Sequence, residues 1–302
     1  MGTIRSLINN GFREGVLFMV LAMLILPAID TIAKGISDTI SAGEIAWVRH
    51  FLQTIFLLPF VIRHGFAVEG PIWIHISRGV LMAVVTIVFF AALVVMPLAN
   101  AIAVFFISPL IFTLLGAFFL GEPIGWRRIS AIMAGFFGAL LIIQPSYNDF
   151  GAISLLPACA ALGFAFYMLL TRKLARGGKV SNAISMQFYA GLFGAIFLTG
   201  ALAVGAFIEV HFLAVALPDR FEWSLLALLA IIATIGHILI ALAASRLGAA
   251  QIAPFQYLEI VGATTLGFIF FGDFPDQFAW IGILIIISSG LYIYYRESRF
   301  FG

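Results

Sequence analysis

Charge and cysteine are scarce in this sequence. Asp, Glu, Lys and Arg together make up 10% of its 302 residues, whereas a soluble domain carries about 25%. So few charges cannot cover a water-facing surface, which excludes a soluble enzyme. A net charge of +2 leaves no electrostatic footprint for a nucleic-acid partner. The single cysteine, Cys159, excludes a disulfide within the chain.

Long apolar runs are what the sequence contains instead. Hydrophobic residues account for 63% of the chain, and the mean hydropathy is +1.14. A bilayer core of about 30 Å is crossed by about 20 helical residues, and ten runs meet this length. They cover residues 15–34, 44–62, 72–96, 99–120, 127–144, 152–172, 182–206, 223–245, 249–271 and 277–296. The predicted fold class is an all-α integral membrane protein with ten transmembrane helices in the lipid bilayer.

Basic residues are distributed unevenly between the two sides of this arrangement. Of the 16 Lys and Arg residues, all but Lys34, Arg49 and Arg220 fall on the side that holds both termini. The positive-inside rule makes that side cytoplasmic, so both the N-terminus and the C-terminus are predicted to lie inside. We expect a multi-pass, monomeric protein of a bacterial inner membrane.

The two halves of the chain resemble each other. Residues 120–123 (Leu-Gly-Glu-Pro) match residues 271–275 (Phe-Gly-Asp-Phe-Pro) at an offset of 151 to 152, and each motif follows a span rich in Gly and Phe. Each half contains five predicted helices, an odd number, so the second half, 147–302, is predicted to be inverted relative to the first, 1–146. Inverted repeats around a midplane site are an architecture of secondary transporters.

With ten helices, both termini inside, and a Gly-acid-Pro turn after the fourth helix of each half, the chain resembles the EamA-type members of the drug/metabolite transporter superfamily. The resemblance covers nearly the whole chain, although Asp273 and the extra Phe274 depart from the commoner Gly-Glu turn. The Phe-rich interior is similar to that of bacterial exporters of aromatic amino acids. The resemblance implies a carrier that works without ATP or a cofactor and exports aromatic or other large neutral amino acids, or related hydrophobic metabolites.

Other functions remain as alternatives. Another metabolite or a cationic drug is an alternative substrate within the same superfamily. A channel would need a polar stripe through its pore, and a membrane-embedded enzyme would need a catalytic or metal-binding cluster. The five His residues are scattered, and no His-Glu-x-x-His pattern occurs. We therefore predict a small-molecule transporter and not an enzyme, with no metal site.

Polar residues inside the predicted helices are the candidate substrate-binding or coupling residues. A charged side chain at the centre of a membrane helix costs about 2.5–3.5 kcal/mol, and Glu259 stands near the centre of the ninth helix. At the repeat offset of 151 its counterpart is Ser108 in the fourth helix. His237 lies in the middle of the eighth helix, and Gln256 and Tyr257 are close to Glu259 in sequence. The alternative for each is a structural hydrogen bond between helices.

Two more candidates lie near the outer ends of the first two helices. Lys34 follows Asp30 by four residues on the same helical face, which predicts an ion pair. Arg49 is expected to reach the outer interface or to pair with Asp30. Pro109 and Pro254, in the fourth helix of each half, are predicted hinges or fixed kinks, since proline removes a backbone donor.

Aromatic residues near the centres of the spans are candidates for the wall of a substrate cavity. They are Phe105, Phe106, Phe164, Phe166, Tyr167, Phe188, Tyr189, Phe255 and Tyr257. Such a wall favours an apolar or aromatic solute. The predicted spans place no Lys or Arg at the midplane, which argues against sugar nucleotides and phosphorylated metabolites.

Overall fold

The computed structural model describes residues 2–66, 70–121, 125–175 and 180–298. Within these ranges the chain forms thirteen α-helices, two short 3-10 turns and no β-strand. The helices are α1 (Gly2–Ile25), α2 (Pro27–Gly35), α3 (Ala42–His64), α4 (Ile72–Leu93), α5 (Leu98–Phe105), α6 (Ser108–Leu120), α7 (Trp126–Phe150), α8 (Leu156–Leu174), α9 (Val180–Phe207), α10 (Arg220–Arg246), α11 (Ala249–Gln256), α12 (Glu259–Phe271) and α13 (Gln277–Ser298).

Membrane-spanning length is reached by seven helical segments of the described chain. They cover Gly11–Gly35, Ala42–Arg63, Ile72–Leu93, Leu98–Leu120, Tyr147–Leu174, Ala183–Phe207 and Arg220–Arg246. Three shorter apolar stretches, Ile129–Ile143, Glu259–Phe271 and Gln277–Ser289, coincide with the remaining predicted spans. The all-helical membrane fold is therefore confirmed, while the count of ten crossings and the inversion of the halves stay predictions.

Three of the predicted spans are broken helices. The first span is interrupted at Leu26, directly before Pro27, and the fourth is interrupted at residues 106–107, directly before α6. In both, a proline at the start of the following helix supplies no backbone donor to the preceding turn. The ninth span is interrupted at residues 257–258, where no proline follows.

The broken fourth and ninth spans have the same internal plan. The helices α5 and α11 each have eight residues, α6 and α12 each have thirteen, and all their boundaries differ by 151 residues. Both spans end at a glycine in the left-handed region, Gly121 with φ 69° and Gly272 with φ 70°. Glycine adopts this conformation without the steric cost of a Cβ atom and so ends a helix. Residues 122–124 of the first turn motif lie outside the described residues.

The helices pack in pairs around a common core. Helix α3 runs against α9, and α7 runs against α13; α4 contacts α8 and α9, while α10 contacts α1 and α3. The α7–α13 pair approaches through glycine. A Cβ atom on Gly282 would lie 2.5 Å from the carbonyl oxygen of Gly138, so neither position has room for a side chain without movement of the backbone.

Candidate substrate-binding site

A cavity lies at the breaks of the first, fourth and ninth spans, between helices of both halves of the chain. Most of its wall is apolar, and its lining residues are Met23, Leu26, Ile29, Asp30, Arg49, Met82, Val85, Thr86, Phe89, Phe90, Ile102, Phe105, Phe164, His237, Gln256 and Glu259. A mostly apolar wall with a few convergent polar groups is typical of small-molecule sites. We call this space the central cavity.

Five of the seven predicted polar candidates line the central cavity. They are Asp30, Arg49, His237, Gln256 and Glu259. Ser108 and Tyr257 are buried, at 2% and 4% exposure, but are not among the lining residues. The helix break explains the difference, because Gln256 ends α11 and Glu259 begins α12, whereas Tyr257 lies in the break with its ring against Phe106.

The predicted hinge prolines lie beside these breaks. Pro109 is buried in the first turn of α6, and Pro254 lies in α11, two residues before its end. The described residues include the backbone of Pro254 but not its side-chain surroundings. Their role as hinges stays a prediction.

Arg49 points into the protein and not toward the outer interface. Its side chain is 3% exposed; Nη1 donates to the hydroxyl of Thr86, and Nη2 lies 3.4 Å from Nε2 of His237. Arg49 and Asp30 are close enough to attract each other electrostatically, but no ion pair within 4 Å links them. Buried Nε of Arg49 has no hydrogen-bond partner. Arg49 thus spans the gap between α3, α4 and α10.

His237 has a defined tautomer in this arrangement. Its Nδ1 lies 2.8 Å from the carbonyl oxygen of Ala233. A carbonyl can only accept, so Nδ1 carries the hydrogen, and Nε2 of the neutral ring has a lone pair directed at Arg49. His237 therefore accepts a hydrogen bond from the guanidinium group.

The predicted ion pair between Asp30 and Lys34 is wrong. Lys34 turns toward the end of the bundle, where Nζ lies 3.3 Å from Oδ2 of Asp273 and donates to the carbonyl oxygen of Met96 at 2.7 Å. This partner lies in the turn between α12 and α13, far away in sequence. Asp30 is left facing the central cavity, and neither Asp30 nor Glu259 forms a hydrogen bond or ion pair with any described residue.

Aromatic rings form one wall of the central cavity. The centroids of Phe89 and Phe105 are 5.1 Å apart, and those of Phe105 and Phe164 are 5.4 Å apart. Phe105 and Phe164 were predicted candidates, whereas Phe89, Phe90 and Thr86 were missed. The spacing of residues 82, 85, 86, 89 and 90 places them on one face of α4, which was the available signal. These rings form a surface on which a planar group can stack.

Two arginines lie inside the described bundle, while their depth relative to the membrane midplane stays a prediction. Arg49 lines the central cavity, and Arg78, predicted to face the cytoplasm, is completely buried. Arg78 donates to the hydroxyls of Thr171 and Tyr167 and to the carbonyl oxygen of Met186, at 2.9–3.2 Å. The apolar sequence around Arg78 gives no indication of these acceptors, because they belong to α8 and α9.

A second set of hydrogen bonds connects Arg78 with the cavity. Tyr167, which bonds Arg78, also bonds the side chain of Gln187 at 3.2 Å. The amide nitrogen of Gln187 donates to the carbonyl oxygen of His237, also at 3.2 Å. A chain of hydrogen bonds therefore runs through the apolar core from α4 to α10, and its last bond holds the backbone carbonyl of His237.

Comparison with known proteins agrees with this fold. The model of the EamA-like transporter family matches the chain twice, over residues 13–144 and 151–295. The crystal structure of another protein superposes on this chain with a TM-score of 0.63 and 18% sequence identity. The superposition covers 97% of this chain and 99% of that protein. That likeness concerns the fold alone.

Curated relatives with named functions cover almost the whole chain. An S-adenosylmethionine uptake transporter of Rickettsia bellii is 30% identical, covering 95% of this chain and 96% of its own length. A riboflavin transporter of Rhizobium johnstonii is 30% identical over 94% of this chain and 92% of its own length. A pseudopaline exporter of Pseudomonas aeruginosa is 26% identical, with 92% and 94% coverage.

These relatives are all named as transporters or exporters, but their names give three different solutes. Two family matches of this extent, together with the apolar helical bundle, identify the chain as a multi-pass transporter of the inner membrane. The chain belongs to the EamA-like transporter family of the drug/metabolite transporter superfamily.

Proposed function

We propose that the chain is a secondary carrier for an organic solute that combines an aromatic group, a carboxylate and a cationic centre. S-adenosylmethionine is the first candidate. The carrier has ten membrane spans in two inverted halves, residues 1–146 and 147–302, and exposes the central cavity alternately to the two sides of the membrane.

The helix pairings support the two inverted halves. If the second half repeats the first, α8, α9 and α10 correspond to the first, second and third spans. The contact of α4 with α8 then has its counterpart in that of α10 with α1, and the contact of α4 with α9 in that of α10 with α3. The pairs α3–α9 and α7–α13 join equivalent spans. The constant offset of 151 in the fourth and ninth spans and the double family match support the same repeat.

The observation that carries the substrate proposal is a pair of cavity carboxylates that form no hydrogen bond or ion pair with any described residue. Asp30 and Glu259 face the same cavity as the guanidinium group of Arg49. S-adenosylmethionine has two cationic groups, an ammonium and a sulfonium, together with one carboxylate and an aromatic base. Two acids and one base in the cavity complement these charges, and the rings of Phe89, Phe105 and Phe164 offer a stacking surface.

Aromatic and large neutral amino acids are the second candidate. The phenylalanine wall and the coexistence of Arg49 with two carboxylates suit a zwitterion of this kind. The three relatives described above are not named for amino acids, and their names include both uptake and export. Riboflavin is uncharged and leaves all three charged residues without a counter-charge. The direction of net transport follows the solute and coupling-ion gradients in either case.

Counterflow in proteoliposomes tests this proposal without assuming a direction. Liposomes loaded with unlabelled S-adenosylmethionine and diluted into labelled S-adenosylmethionine should accumulate label transiently and saturably, without ATP. Unlabelled phenylalanine, tryptophan and riboflavin are then compared as competitors. Absence of S-adenosylmethionine counterflow together with counterflow of phenylalanine would transfer the function to the second candidate. Counterflow of neither would contradict both.

A matched pair of variants connects the activity with the cavity. Asp30→Asn removes one of the two cavity carboxylates and should weaken S-adenosylmethionine counterflow. Glu14→Gln is the control, because Glu14 is a half-exposed carboxylate paired with Arg246 outside the cavity. Equal loss in both variants would argue against recognition by the cavity.

A further inference from the structure

We propose that Arg49 is the residue that binds the carboxylate of the solute, and that His237 and Thr86 are positioning residues that direct Arg49 into the cavity. This inference rests on the proposed function, since it concerns the same cavity. It makes the carrier selective for solutes with a free carboxylate over analogues that differ only by its loss.

The hydrogen bonds of Arg49 to described residues leave one donor of its guanidinium group, Nε, without an acceptor. Nη1 is bonded to Thr86 and Nη2 to His237, while Nε is buried without a partner. A side-on carboxylate uses Nε together with one Nη, which is a strong, bidentate arrangement. A buried donor without an acceptor is unfavourable, and a solute carboxylate would supply that acceptor.

No described carboxylate forms an ion pair with Arg49. Asp30 and Glu259 line the same cavity, yet neither lies within ion-pair distance of the guanidinium group. The cavity thus keeps positive and negative groups apart across one space. Asp30 and Arg49 attract each other only at a distance, so a solute with both charges can form the direct contacts that these groups lack.

The two positioning residues are both uncharged acceptors. The hydroxyl of Thr86 donates to the carbonyl oxygen of Met82 at 2.7 Å, so its lone pairs face Arg49. His237 likewise uses its Nδ1 hydrogen on Ala233 and accepts through Nε2. A neutral acceptor orients the guanidinium group without cancelling its charge. A carboxylate in either position would compete with the solute.

Competitor pairs that differ only in the carboxylate test the role of Arg49. The pairs are S-adenosylmethionine with its decarboxylated analogue, and phenylalanine with phenethylamine. In the unaltered protein the carboxylate-bearing member should compete at least about tenfold better, as expected for a charge-assisted hydrogen bond. In Arg49→Gln the ratio should fall close to one. In Arg49→Lys, which keeps the charge but loses the Nε edge, it should be intermediate.

Variants of His237 test its positioning role. Gln places an amide oxygen near the position of Nε2, so His237→Gln should retain most of the ratio, whereas His237→Leu should lower it. Phenethylamine, which has no carboxylate, should bind to the two variants equally well. A purely structural role would weaken both members of a pair by the same factor.

The outcomes separate this inference from the proposed function. Preserved S-adenosylmethionine counterflow with an unchanged carboxylate preference in Arg49→Gln would overturn the inference alone. Absence of counterflow of both S-adenosylmethionine and phenylalanine in the unaltered protein would overturn the proposed function, whereas absence of S-adenosylmethionine counterflow alone would remove only its first candidate. The phenylalanine pair, measured as heat stabilisation of the purified protein, then still decides the role of Arg49. Equal stabilisation by both members would contradict it.

Discussion

Asp30 and Glu259 are the residues whose surroundings most need a ligand. Each lies inside the helical bundle without a hydrogen bond or ion pair to any described residue, where a charged side chain costs about 2.5–3.5 kcal/mol. A cationic solute or a proton lowers that cost. The two carboxylates can therefore bind solute and proton in turn during a transport cycle. If solute and proton are never bound together, solute transport is coupled to proton transport.

Replacement of Glu259 by Gln tests this coupling. The amide keeps the shape and hydrogen-bonding capacity of the side chain but cannot titrate. We expect a folded protein whose transport is reduced and no longer depends on pH between about 5 and 8. Transport of labelled solute into liposomes, measured across a pH series, checks this expectation.

The control for Glu259→Gln is again Glu14→Gln, which changes an exposed carboxylate in the same chemical way. Its pH profile should follow that of the unaltered protein. A pH dependence that survives in Glu259→Gln would assign Glu259 a structural role.

The candidate residues were predictable from the sequence because polar groups are rare in membrane helices. This rule found Glu259, His237 and Asp30, since each stands out against an apolar background. It could not choose between partners, and Lys34 pairs with Asp273, which is 239 residues away, instead of Asp30 at four residues. Thr86 was not recognisable, because a hydroxyl that bonds its own helix is common in apolar spans.

Helix breaks are the element-scale feature that shapes the cavity. Proline accompanies two of the breaks, since Pro27 begins α2 and Pro109, a predicted hinge or kink, is the second residue of α6. The break between α11 and α12 follows Pro254 by three residues and has no proline of its own. Its position follows instead from the repeat, at 151 residues after the break in the fourth span.

The contact between α7 and α13 gives an element-scale prediction. A Cβ atom on Gly282 would lie 2.5 Å from the carbonyl oxygen of Gly138 and 2.4 Å from Cγ1 of Ile142. Gly282→Ala should therefore force the helices apart and destabilise the protein by about 1–3 kcal/mol. The midpoint of heat unfolding of the purified protein measures this.

Gly200 in α9 provides the matched control, because nothing lies within 4 Å of a Cβ atom built there. Gly200→Ala should leave the midpoint unchanged or raise it, since Ala is a better helix former than Gly. A similar fall in both variants would mean that the α7–α13 contact is not the cause.

At the scale of the whole molecule, an ion pair joins the proposed halves at one end. Oδ2 of Asp273 is 3.3 Å from Nζ of Lys34 and accepts the backbone hydrogen of Leu98 at 3.0 Å. Lys34 and Leu98 belong to the first half and Asp273 to the second. In the proposed topology this contact lies at the outer end, and we predict that it closes the cavity toward the outside.

Loss of the Asp273 charge should favour opening toward the outside. Asp273→Asn keeps an acceptor for Leu98 but weakens the attraction of Lys34. With Ile102→Cys in the cavity wall and the exposed Cys159 replaced by Ser, an impermeant thiol reagent added outside should react faster. Glu14→Gln breaks the pair with Arg246 at the opposite end and should give no such increase. An unchanged rate in Asp273→Asn would exclude this role.

The short apolar helices determine whether the chain crosses the membrane ten times. The sequence predicted ten from apolar length and from the segregation of basic residues, and both signals act over whole spans. Three of the crossings rest on apolar stretches shorter than the other seven. Single cysteines on exposed residues can locate each connecting segment, in a background where Cys159 is replaced by Ser.

Ten crossings predict a definite labelling pattern. Lys173→Cys, at the exposed end of α8, should react with an impermeant reagent only from the cytoplasm, and Leu217→Cys, 98% exposed before α10, only from outside. Both results require that α7 crosses the membrane, because without that crossing the two sides are exchanged. Phe274→Cys, exposed between α12 and α13, should also react from outside, which requires that α11 and α12 cross together. Labelling of Phe274→Cys from the cytoplasm would remove the ninth crossing, and with it the inverted repeat on which alternating access depends.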